Sequence, residues 1–325
     1  MKIIMRLSIF SLILFFTGLF LFYYFLGPTD RSEKQETLIL QKNESTDSII
    51  KKLQDKGYIK HEGAFRFLTG LIYYKQEIEA GGYVLRHNMY AWEIAQKMTG
   101  KPDLIWITFG ACLRKEQIGE ILAESLGWED EELIKWNTVY TESKPEYTEG
   151  VYYPDTYLIP VNETGEDVAR RMINRFNEKF APYADDYIAQ NIRWTTGLKI
   201  ASLIAREAAG AEDMHLVSGI IWNRLNIDMP LQIDATMQYT LGKNKDGLWW
   251  GAIDIREKKK DSPYNSYLYK GLPPTPICSP SIDYIEAALH PAETSCLFYL
   301  HDSDKQIYCA ETFDEHRENI EKYLN

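Results

Sequence analysis

Twenty consecutive residues near the amino terminus, from Leu7 to Leu26, carry no charged side chain. At 1.5 Å per residue, a helix of this length is about 30 Å long, which matches the hydrocarbon core of a bilayer. The run ends at Gly27-Pro28 without the small-residue pattern of a cleavage site, so the sequence predicts a retained transmembrane helix at residues 7–26, with a cleaved signal peptide as the alternative. Lys2 and Arg6 precede the run, which predicts a cytoplasmic amino terminus and an extracytoplasmic remainder.

The composition is that of a folded protein with an acidic surface. The 325 residues are 45% hydrophobic and 26% charged, which excludes wholesale disorder and allows two folded units. The 36 basic residues are outnumbered by 47 acidic ones, so the net charge is −11. Because such a surface would repel a nucleic-acid backbone, we expect no nucleic-acid partner.

A strand followed by a short amphipathic helix recurs after the apolar run. Strand-like runs at 38–40, 81–85 and 104–109 each precede a segment with helical spacing that ends near a glycine, at Gly57, Gly100 and Gly127. Units this small cannot bury their apolar faces alone, so we expect them to pack together as an α+β module.

We place a domain boundary near Pro102. This gives a cytoplasmic tail and anchor at residues 1–28, a small module at 29–102 and a mixed α/β domain at 103–325. The fold class predicted for the whole chain is therefore α+β.

Two of the four cysteines flank a predicted hairpin. Cys296 and Cys309 would lie directly opposite each other if the turn is centred between Asp302 and Ser303. A disulfide is then possible in an oxidising compartment, but two separate buried thiols are the favoured interpretation.

A predicted helix at 197–210 carries one glutamate among its apolar positions. Glu207 follows Ile200 by seven residues and Ile204 by three, so its carboxyl group should point into apolar surroundings. Burial raises the pKa of a carboxyl group, which suits a general acid working near neutrality. The alternative is a buried ion pair with Arg224, which also lies on an inward-facing stripe.

Polar and aromatic side chains downstream could line a groove next to this carboxyl group. If residues 231–236 are extended, Gln232, Asp234 and Thr236 face the same side. Tyr264, Asn265 and Tyr267 add stacking surfaces and an amide, and His316 adds a titratable group. This combination is typical of a site that binds a sugar polymer.

Cofactor and metal motifs are missing from the sequence. It contains no G-x-G-x-x-G, Walker lysine loop, H-E-x-x-H, G-x-S-x-G or C-x-x-C. We therefore predict neither a cofactor nor a metal.

At these residues the sequence resembles the membrane-anchored endolytic murein transglycosylases of the MltG (YceG-like) family. The segments that carry the resemblance occur in the family's order from Glu149 to the carboxyl terminus: Glu149-Gly150 with 153–157 (YPDTY), 201–207 (ASLIARE), 223–225 (NRL) with 229–234 (MPLQID), 264–267 (YNSY), 271–274 (GLPP), 290–292 (HPA) and Glu315-His316. Many relatives have a second glutamate at the position of Ala205 and a proline at that of Ala235. Glu207 is thus the only acidic side chain in the helix matching the family's catalytic position.

The resemblance implies a LysM-like module at 29–102 and a catalytic domain at 103–325. It implies cleavage of the β-1,4 bond between N-acetylmuramic acid (MurNAc) and N-acetylglucosamine (GlcNAc), with Glu207 acting first as acid and then as base to leave a 1,6-anhydro end. The substrate-binding residues would be Arg224, Gln232, Asp234, Thr236, Tyr264, Asn265, Tyr267 and His316. Arg224 would hold a stem-peptide carboxylate or pair with an acid inside the fold.

The partners implied are peptidoglycan strands, the inner membrane and, for an enzyme that ends newly made strands, peptidoglycan synthases. Two other functions remain open: a hydrolytic glycosidase that uses Glu207 and Asp234, and a non-catalytic, membrane-tethered binding or division scaffold protein.

Overall fold

Helix α1 (Lys2–Leu26) corresponds to the apolar run. We describe residues 2–72 and 78–324 of the chain from a computed structural model. The stretch Ile9–Leu26 has a mean hydropathy of 2.2, and none of it is buried against the rest of the chain. The helix is therefore long and apolar enough to cross a bilayer.

The described residues form two units. The first extends through Ile107 and takes in Tyr157–Asn162, and the second consists of Thr108–Thr156 and the chain from Glu163 onward. The sequence-based boundary at Pro102 precedes β3 (Leu104–Thr108), most of which belongs to the first unit. The return of residues 157–162 to the first unit has no counterpart in the sequence-based division.

The first unit is a four-stranded sheet with short helices. Besides α1 and β3, its elements are β1 (Gln35–Leu40), α2 (Thr46–Asp55), α3 (Glu62–Ile72), β2 (Gly81–Arg86), α4 (Ala91–Met98) and β4 (Thr156–Pro160). The strand order is β1-β2-β3-β4, with β2 antiparallel to both β1 and β3. Ser45 caps α2 by accepting a hydrogen bond from the Ser48 amide.

The apolar residues predicted to face inward form one core. Leu38 and Leu40 of β1 meet Ile49, Ile50 and Leu53 of α2 and Ile94, Ala95 and Met98 of α4. The first two predicted strand–helix units are thus confirmed. The third is not part of this module, because the helix that follows β3, α5 (Lys115–Leu126), belongs to the second unit.

The second unit is mostly helical. Its further elements are α6 (Asp130–Lys135), a π-helical turn at Trp136–Tyr140, α7 (Gly165–Phe180), α8 (Ala184–Ala189), α9 (Trp194–Glu207), α10 (Met214–Asn226), α11 (Asp234–Leu241), α12 (Ile282–Leu289), β5 (Phe298–His301), β6 (Ile307–Ala310) and α13 (Phe313–Tyr323), with short 3₁₀ turns at Pro145–Tyr147, Ala181–Tyr183 and Glu257–Lys259.

Helix α9 is the central element of this unit. It packs against α10, α11 and α12, and seven of its residues are buried: Gly197, Leu198, Ile200, Ala201, Ser202, Leu203 and Ile204. The helix ends at Glu207 because Ala208 adopts an extended conformation with ψ 134°. It thus begins and ends three residues earlier than the predicted 197–210 segment, and its last residue is the candidate acid.

Two disulfide bonds link the cysteines, Cys112 with Cys278 and Cys296 with Cys309. The prediction of two separate thiols at Cys296 and Cys309 is therefore wrong. Direct cross-strand opposition is wrong as well, because Cys309 lies opposite Tyr299 in the β5–β6 ladder and Cys296 precedes β5. The turn between β5 and β6 is centred further along the chain than predicted. The Asp302 side chain stabilises this turn by accepting hydrogen bonds from the backbone amides of Asp304 and Gln306.

Candidate active site

Glu207 is the last residue of the buried helix α9. The residue itself is half-buried, whereas Ile200, Leu203 and Ile204 on the same helix are fully covered. Removal of its carboxyl group from water raises the pKa of Glu207, and the negative charge of Asp234 raises it further. A protonated form near neutrality is what proton donation requires.

Tyr299 of β5 is the direct hydrogen-bond partner of this carboxyl group. Its hydroxyl lies 2.6 Å from Glu207 Oε2 and donates to it. Burial, together with the negative charge of Glu207, raises the pKa of Tyr299 well above its ordinary value. The phenol therefore stays protonated and can serve as a permanent donor.

The chain that follows Glu207 is held by a second polar pair. Asp213 accepts hydrogen bonds from the amides of Ala209 (2.9 Å) and Gly210 (3.1 Å), and His301 Nε2 lies 2.6 Å from its Oδ2. Since alternate residues of a strand point to the same face, Tyr299 and His301 both project from β5 toward the end of α9. One face of one strand thus positions the candidate acid and the turn after it.

Asp234 begins α11 and belongs to a charged cluster. Lys258 Nζ lies 2.8 Å from Asp234 Oδ1 and 2.8 Å from the Tyr267 hydroxyl, which in turn donates to Asp234. The negative charge of Asp234 raises the pKa of Glu207, so the cluster lies close enough to the candidate acid to influence its protonation.

Gln232 is exposed and adopts a left-handed conformation with φ 54°. The backbone N–H of Gln232 donates to the Ser266 carbonyl at 3.0 Å. The side-chain carboxamide takes no part in this bond and is free to reach a ligand. A non-glycine residue in this conformation costs about 1 to 3 kcal/mol, and such residues cluster at functional sites.

Two of the predicted binding residues are turned away from solvent. Because residues 234–241 form a helix, the predicted extended row of Gln232, Asp234 and Thr236 is wrong. Thr236 is fully buried, and its hydroxyl bonds the Ile233 carbonyl and Ser266. Asn265 is also fully buried; its amide nitrogen donates to the carbonyls of Lys258 and Lys260, and its oxygen accepts from the Tyr267 amide.

Arg224 is a buried side chain that bonds two backbone segments. Its guanidinium donates to the carbonyls of Leu297 and Leu231 and lies over the Phe298 ring. No ion pair between Arg224 and Glu207 occurs among the described residues. The alternative of a structural ion pair for Glu207 is therefore not what the structure contains.

The last two predicted binding residues lie against other aromatic rings. His316 of α13 stacks on Phe298, with ring centroids 5.5 Å apart. Because Phe298 and Tyr299 are adjacent in a strand, His316 contacts the face of β5 opposite to Glu207. Tyr264 packs on Tyr239 at 4.9 Å, and its hydroxyl lies 2.8 Å from that of Thr275.

A second buried glutamate contrasts with Glu207. Glu149 is 1% exposed, accepts from the amides of Lys115 and Gly150 and from the Tyr239 hydroxyl, and burial raises its pKa to about 8. A carboxyl group so fully enclosed cannot reach a polymer strand. Its contacts fix the start of α5.

Sequence reasoning missed Tyr299, His301 and Asp213. Tyr299 and His301 had a usable signal, since they lie two residues apart in the predicted hairpin strand and therefore share one face. Their contact with the end of α9 had no signal, because 92 residues separate Glu207 from Tyr299. Within the described residues, no group of three or more His, Cys, Asp or Glu side chains is arranged to hold a metal ion.

The chain thus combines an α+β fold with a desolvated carboxyl group that lies at the end of a helix and is hydrogen-bonded to a buried phenol. The chain belongs to the YceG-like family, whose model matches residues 38–322.

Similar proteins agree with this membership. An endolytic murein transglycosylase of Bacillus subtilis (strain 168) is 30% identical over 327 residues, which span 92% of this chain and 88% of that protein. One of Streptococcus pneumoniae (strain D39) is 26% identical over 95% of this chain and 62% of that protein. The crystal structure of a yceG-like protein from Listeria monocytogenes has a TM-score of 0.63 at 25% identity, covering 88% of this chain and 99% of that one.

Proposed function

We propose that this protein is an endolytic murein transglycosylase that cleaves peptidoglycan strands, with Glu207 transferring the proton. One observation carries the proposal: Glu207 is a half-buried carboxyl group with a raised pKa at the end of α9, bonded to Tyr299. Membership of a family whose relatives are named endolytic murein transglycosylases supplies the substrate class.

In the proposed reaction, protonated Glu207 donates to the glycosidic oxygen between MurNAc and GlcNAc. The bond from the MurNAc C1 to that oxygen breaks, and positive charge develops at C1. The Glu207 carboxylate then takes the proton of the MurNAc C6 hydroxyl group. The oxygen of that hydroxyl group bonds to C1, which leaves a 1,6-anhydro end. One carboxyl group is sufficient because the proton that it gives up is returned.

Tyr299 has two parts in this scheme. By occupying Oε2, it leaves Oε1 of Glu207 as the oxygen that exchanges the proton. By donating to the carboxylate formed after the first step, it stabilises the state that must act as a base.

Substrate contacts are assigned to Gln232, Asp234, Tyr264 and Tyr267. The Gln232 side chain is exposed, and the Asp234–Tyr267–Lys258 cluster lies within electrostatic reach of Glu207. Thr236 and Asn265 are not carried forward, because their polar atoms are used inside the fold. Arg224 is assigned to structure for the same reason, and His316 because its ring stacks on Phe298, on the face of β5 opposite to Glu207.

The decisive experiment is mass analysis of the sugar ends released from purified glycan strands by the wild type and by Glu207→Gln. We expect anhydro-ended fragments from the wild type and a loss of about 100-fold or more in the variant, as is typical when a general acid is removed. Glu212→Gln, which changes an exposed glutamate just after α9, is the matched control and should retain activity.

Three results would contradict the proposal. Fragments with reducing ends would indicate a hydrolytic glycosidase using Glu207 and Asp234. Strand binding without cleavage by the wild type would indicate a scaffold protein. Full activity of Glu207→Gln would remove Glu207 from the chemistry.

We also propose that α1 anchors the chain in the inner membrane, with the folded units on the extracytoplasmic side near newly made strands and the synthases that produce them. The apolar and uncovered surface of Ile9–Leu26 supports an anchor. After alkaline washing, the full chain should stay in the membrane fraction with its amino terminus intact. A terminus starting after Gly27 would instead identify a cleaved signal peptide.

The first unit is proposed as a LysM-like module that binds peptidoglycan. A cleft beside β2, lined by residues that include Thr37, Arg86 and Asn162, offers polar contacts for a glycan. Arg86→Ala in the full chain should weaken pull-down by insoluble peptidoglycan without changing cleavage of short soluble strands. Unchanged pull-down would exclude this cleft.

A further inference from the structure

Arg206 directly precedes Glu207 and lacks an acceptor for its donor groups. Four other arginines of the second unit are covered or half-covered, and each donates to a protein oxygen: Arg114, Arg171, Arg175 and Arg224. The Arg206 side chain makes no hydrogen bond or ion pair within the described part of the chain, and its Nε is buried without a partner. The Nε of Arg171 is buried without a partner as well, but the guanidinium of Arg171 donates to Glu163 through another nitrogen. A buried donor left unpaired in this way is costly, so its presence calls for an explanation.

A fixed indole supports this guanidinium. The Arg206 Cζ lies 4.1 Å from the centre of the Trp250 ring. Trp250 is held in turn, because its indole nitrogen donates to Gln117 at 2.9 Å and Gln238 donates to the Gly251 carbonyl at 3.0 Å. We call these two residues the Arg206–Trp250 pair. Since the guanidinium covers one indole face, a neutral sugar cannot stack there, and the hydrogen-bonding edge of the arginine remains for a ligand.

The pair lies beside the proposed chemistry. Arg206 is adjacent to Glu207 in α9, and its positive charge lowers the pKa of that carboxyl group. Gln238, which holds the Trp250 segment, is one helical turn after Asp234 in α11. A strand whose glycosidic bond reaches Glu207 and Asp234 would therefore pass close to the pair.

We propose that the Arg206–Trp250 pair is a subsite for a carboxylate of the bound strand, contributed by the stem peptide that a muramoyl residue carries. A guanidinium is always charged and matches a carboxylate with two parallel hydrogen bonds. This role was one of two alternatives that the sequence indicated for Arg224, but the guanidinium of Arg224 donates to backbone carbonyls. The inference rests on the proposed function, since it takes a peptidoglycan strand as the ligand.

The test compares kcat/KM on three soluble strands of equal length: with free stem carboxylates, with amidated stem carboxylates, and stripped of stems so that only lactyl carboxylates remain. We expect the wild type to prefer free stem carboxylates by about tenfold, the size typical of a charge-assisted pair. Arg206→Gln should abolish the preference, and Arg206→Lys, which keeps the charge without the fork, should retain part of it. Arg193→Gln, an exposed arginine at the other end of α9, is the control and should behave as the wild type.

A preference that persists in Arg206→Gln would overturn the proposal. The wild type could instead have equal kcat/KM on stripped and stem-bearing strands, with both values lowered in Arg206→Gln. The pair would then still bind a carboxylate, but that carboxylate would be the lactyl group and not the stem peptide. Thermal melting of each variant separates loss of the subsite from loss of the fold. The same strands are titrated calorimetrically into Glu207→Gln protein, so carboxylate recognition is measured without turnover and stands apart from the test of Glu207 as the acid.

Discussion

At the scale of single residues, the Glu207 carboxyl group experiences opposing influences. Loss of water and the charge of Asp234 raise its pKa, whereas the Tyr299 hydrogen bond, His301 and Arg206 lower it. In the proposed reaction Glu207 gives up a proton and takes it back within one cycle, and these opposing influences suit both steps because neither form is strongly favoured.

Removal of the Tyr299 hydroxyl should shift this balance in a measurable direction. In Tyr299→Phe the carboxylate loses a donor, so the pKa of Glu207 rises further and the acid form persists to higher pH. We expect the alkaline limb of the kcat/KM profile to move to higher pH and kcat to fall by about tenfold, because the carboxylate that acts as base is less stabilised. Tyr308→Phe on β6 is the control, and an unshifted limb in Tyr299→Phe would refute the role of Tyr299.

Glu149 predicts how stability depends on pH. Its pKa is about 8 in the folded chain and near 4.5 in the unfolded one, so between these values the folded state holds a proton that the unfolded state has lost. The contribution of Glu149 to the free energy of unfolding is therefore greatest below about pH 4.5 and falls as pH rises toward 8. Urea unfolding at pH 5.5 and 8.5 should show this loss in the wild type and a smaller one in Glu149→Gln. Glu124→Gln, at an exposed site on α5, should keep the wild-type dependence, and equal dependence in all three would contradict the assignment to Glu149.

At the scale of elements, the β5–β6 hairpin supports the end of α9. Tyr299 and His301 on one face of β5 bond Glu207 and Asp213, and α13 packs on the hairpin. The Cys296–Cys309 disulfide joins the residues just before β5 to β6. The element that completes the site is thus separate from the helix that carries the acid.

Breaking this disulfide should lower activity while the chain still folds cooperatively. In Cys296→Ser/Cys309→Ser, the four paired positions of the ladder remain, so the hairpin persists but holds Tyr299 less firmly. We expect kcat/KM on glycan strands to drop severalfold while the melting transition stays cooperative. Wild-type activity in this variant would show that the ladder and α13 are sufficient to place Tyr299.

Local patterns in the sequence predicted most of the elements but not their register. The helix that carries Glu207 was recognisable because its apolar residues recur at helical spacing. The hairpin register was wrong because the Asp302 side chain captures two backbone amides, a choice that strand alternation does not encode. Thr236 was misplaced for a similar reason, since a helix begins at Asp234 where an extended segment was expected.

At the scale of the whole molecule, contacts between residues distant in sequence could not be predicted from the sequence. Nothing in the pattern of residues 104–127 shows that β3 and α5 belong to different units, or that residues 157–162 rejoin the first. The positions of Arg206 and Trp250 in one pair could not be foreseen either, because the segment after α11 has no periodicity that fixes its path.

The Cys112–Cys278 disulfide should stabilise the second unit more than the Cys296–Cys309 disulfide does. It joins residues 166 apart, against 13 for Cys296–Cys309. On the chain-entropy account, a loop of the first size contributes about 5 kcal/mol and one of the second about 3 kcal/mol. We expect Cys112→Ser/Cys278→Ser to lower the denaturant midpoint more than the hairpin variant does, with less effect on kcat/KM at low temperature. The reverse order of midpoints would contradict this ranking.

The late position of Tyr299 along the chain bears on biosynthesis. A ribosome that has finished α9 has already made the acid, yet the phenol that steadies it lies 92 residues further on. A chain that ended before β5 would therefore contain Glu207 without its hydrogen-bond partner.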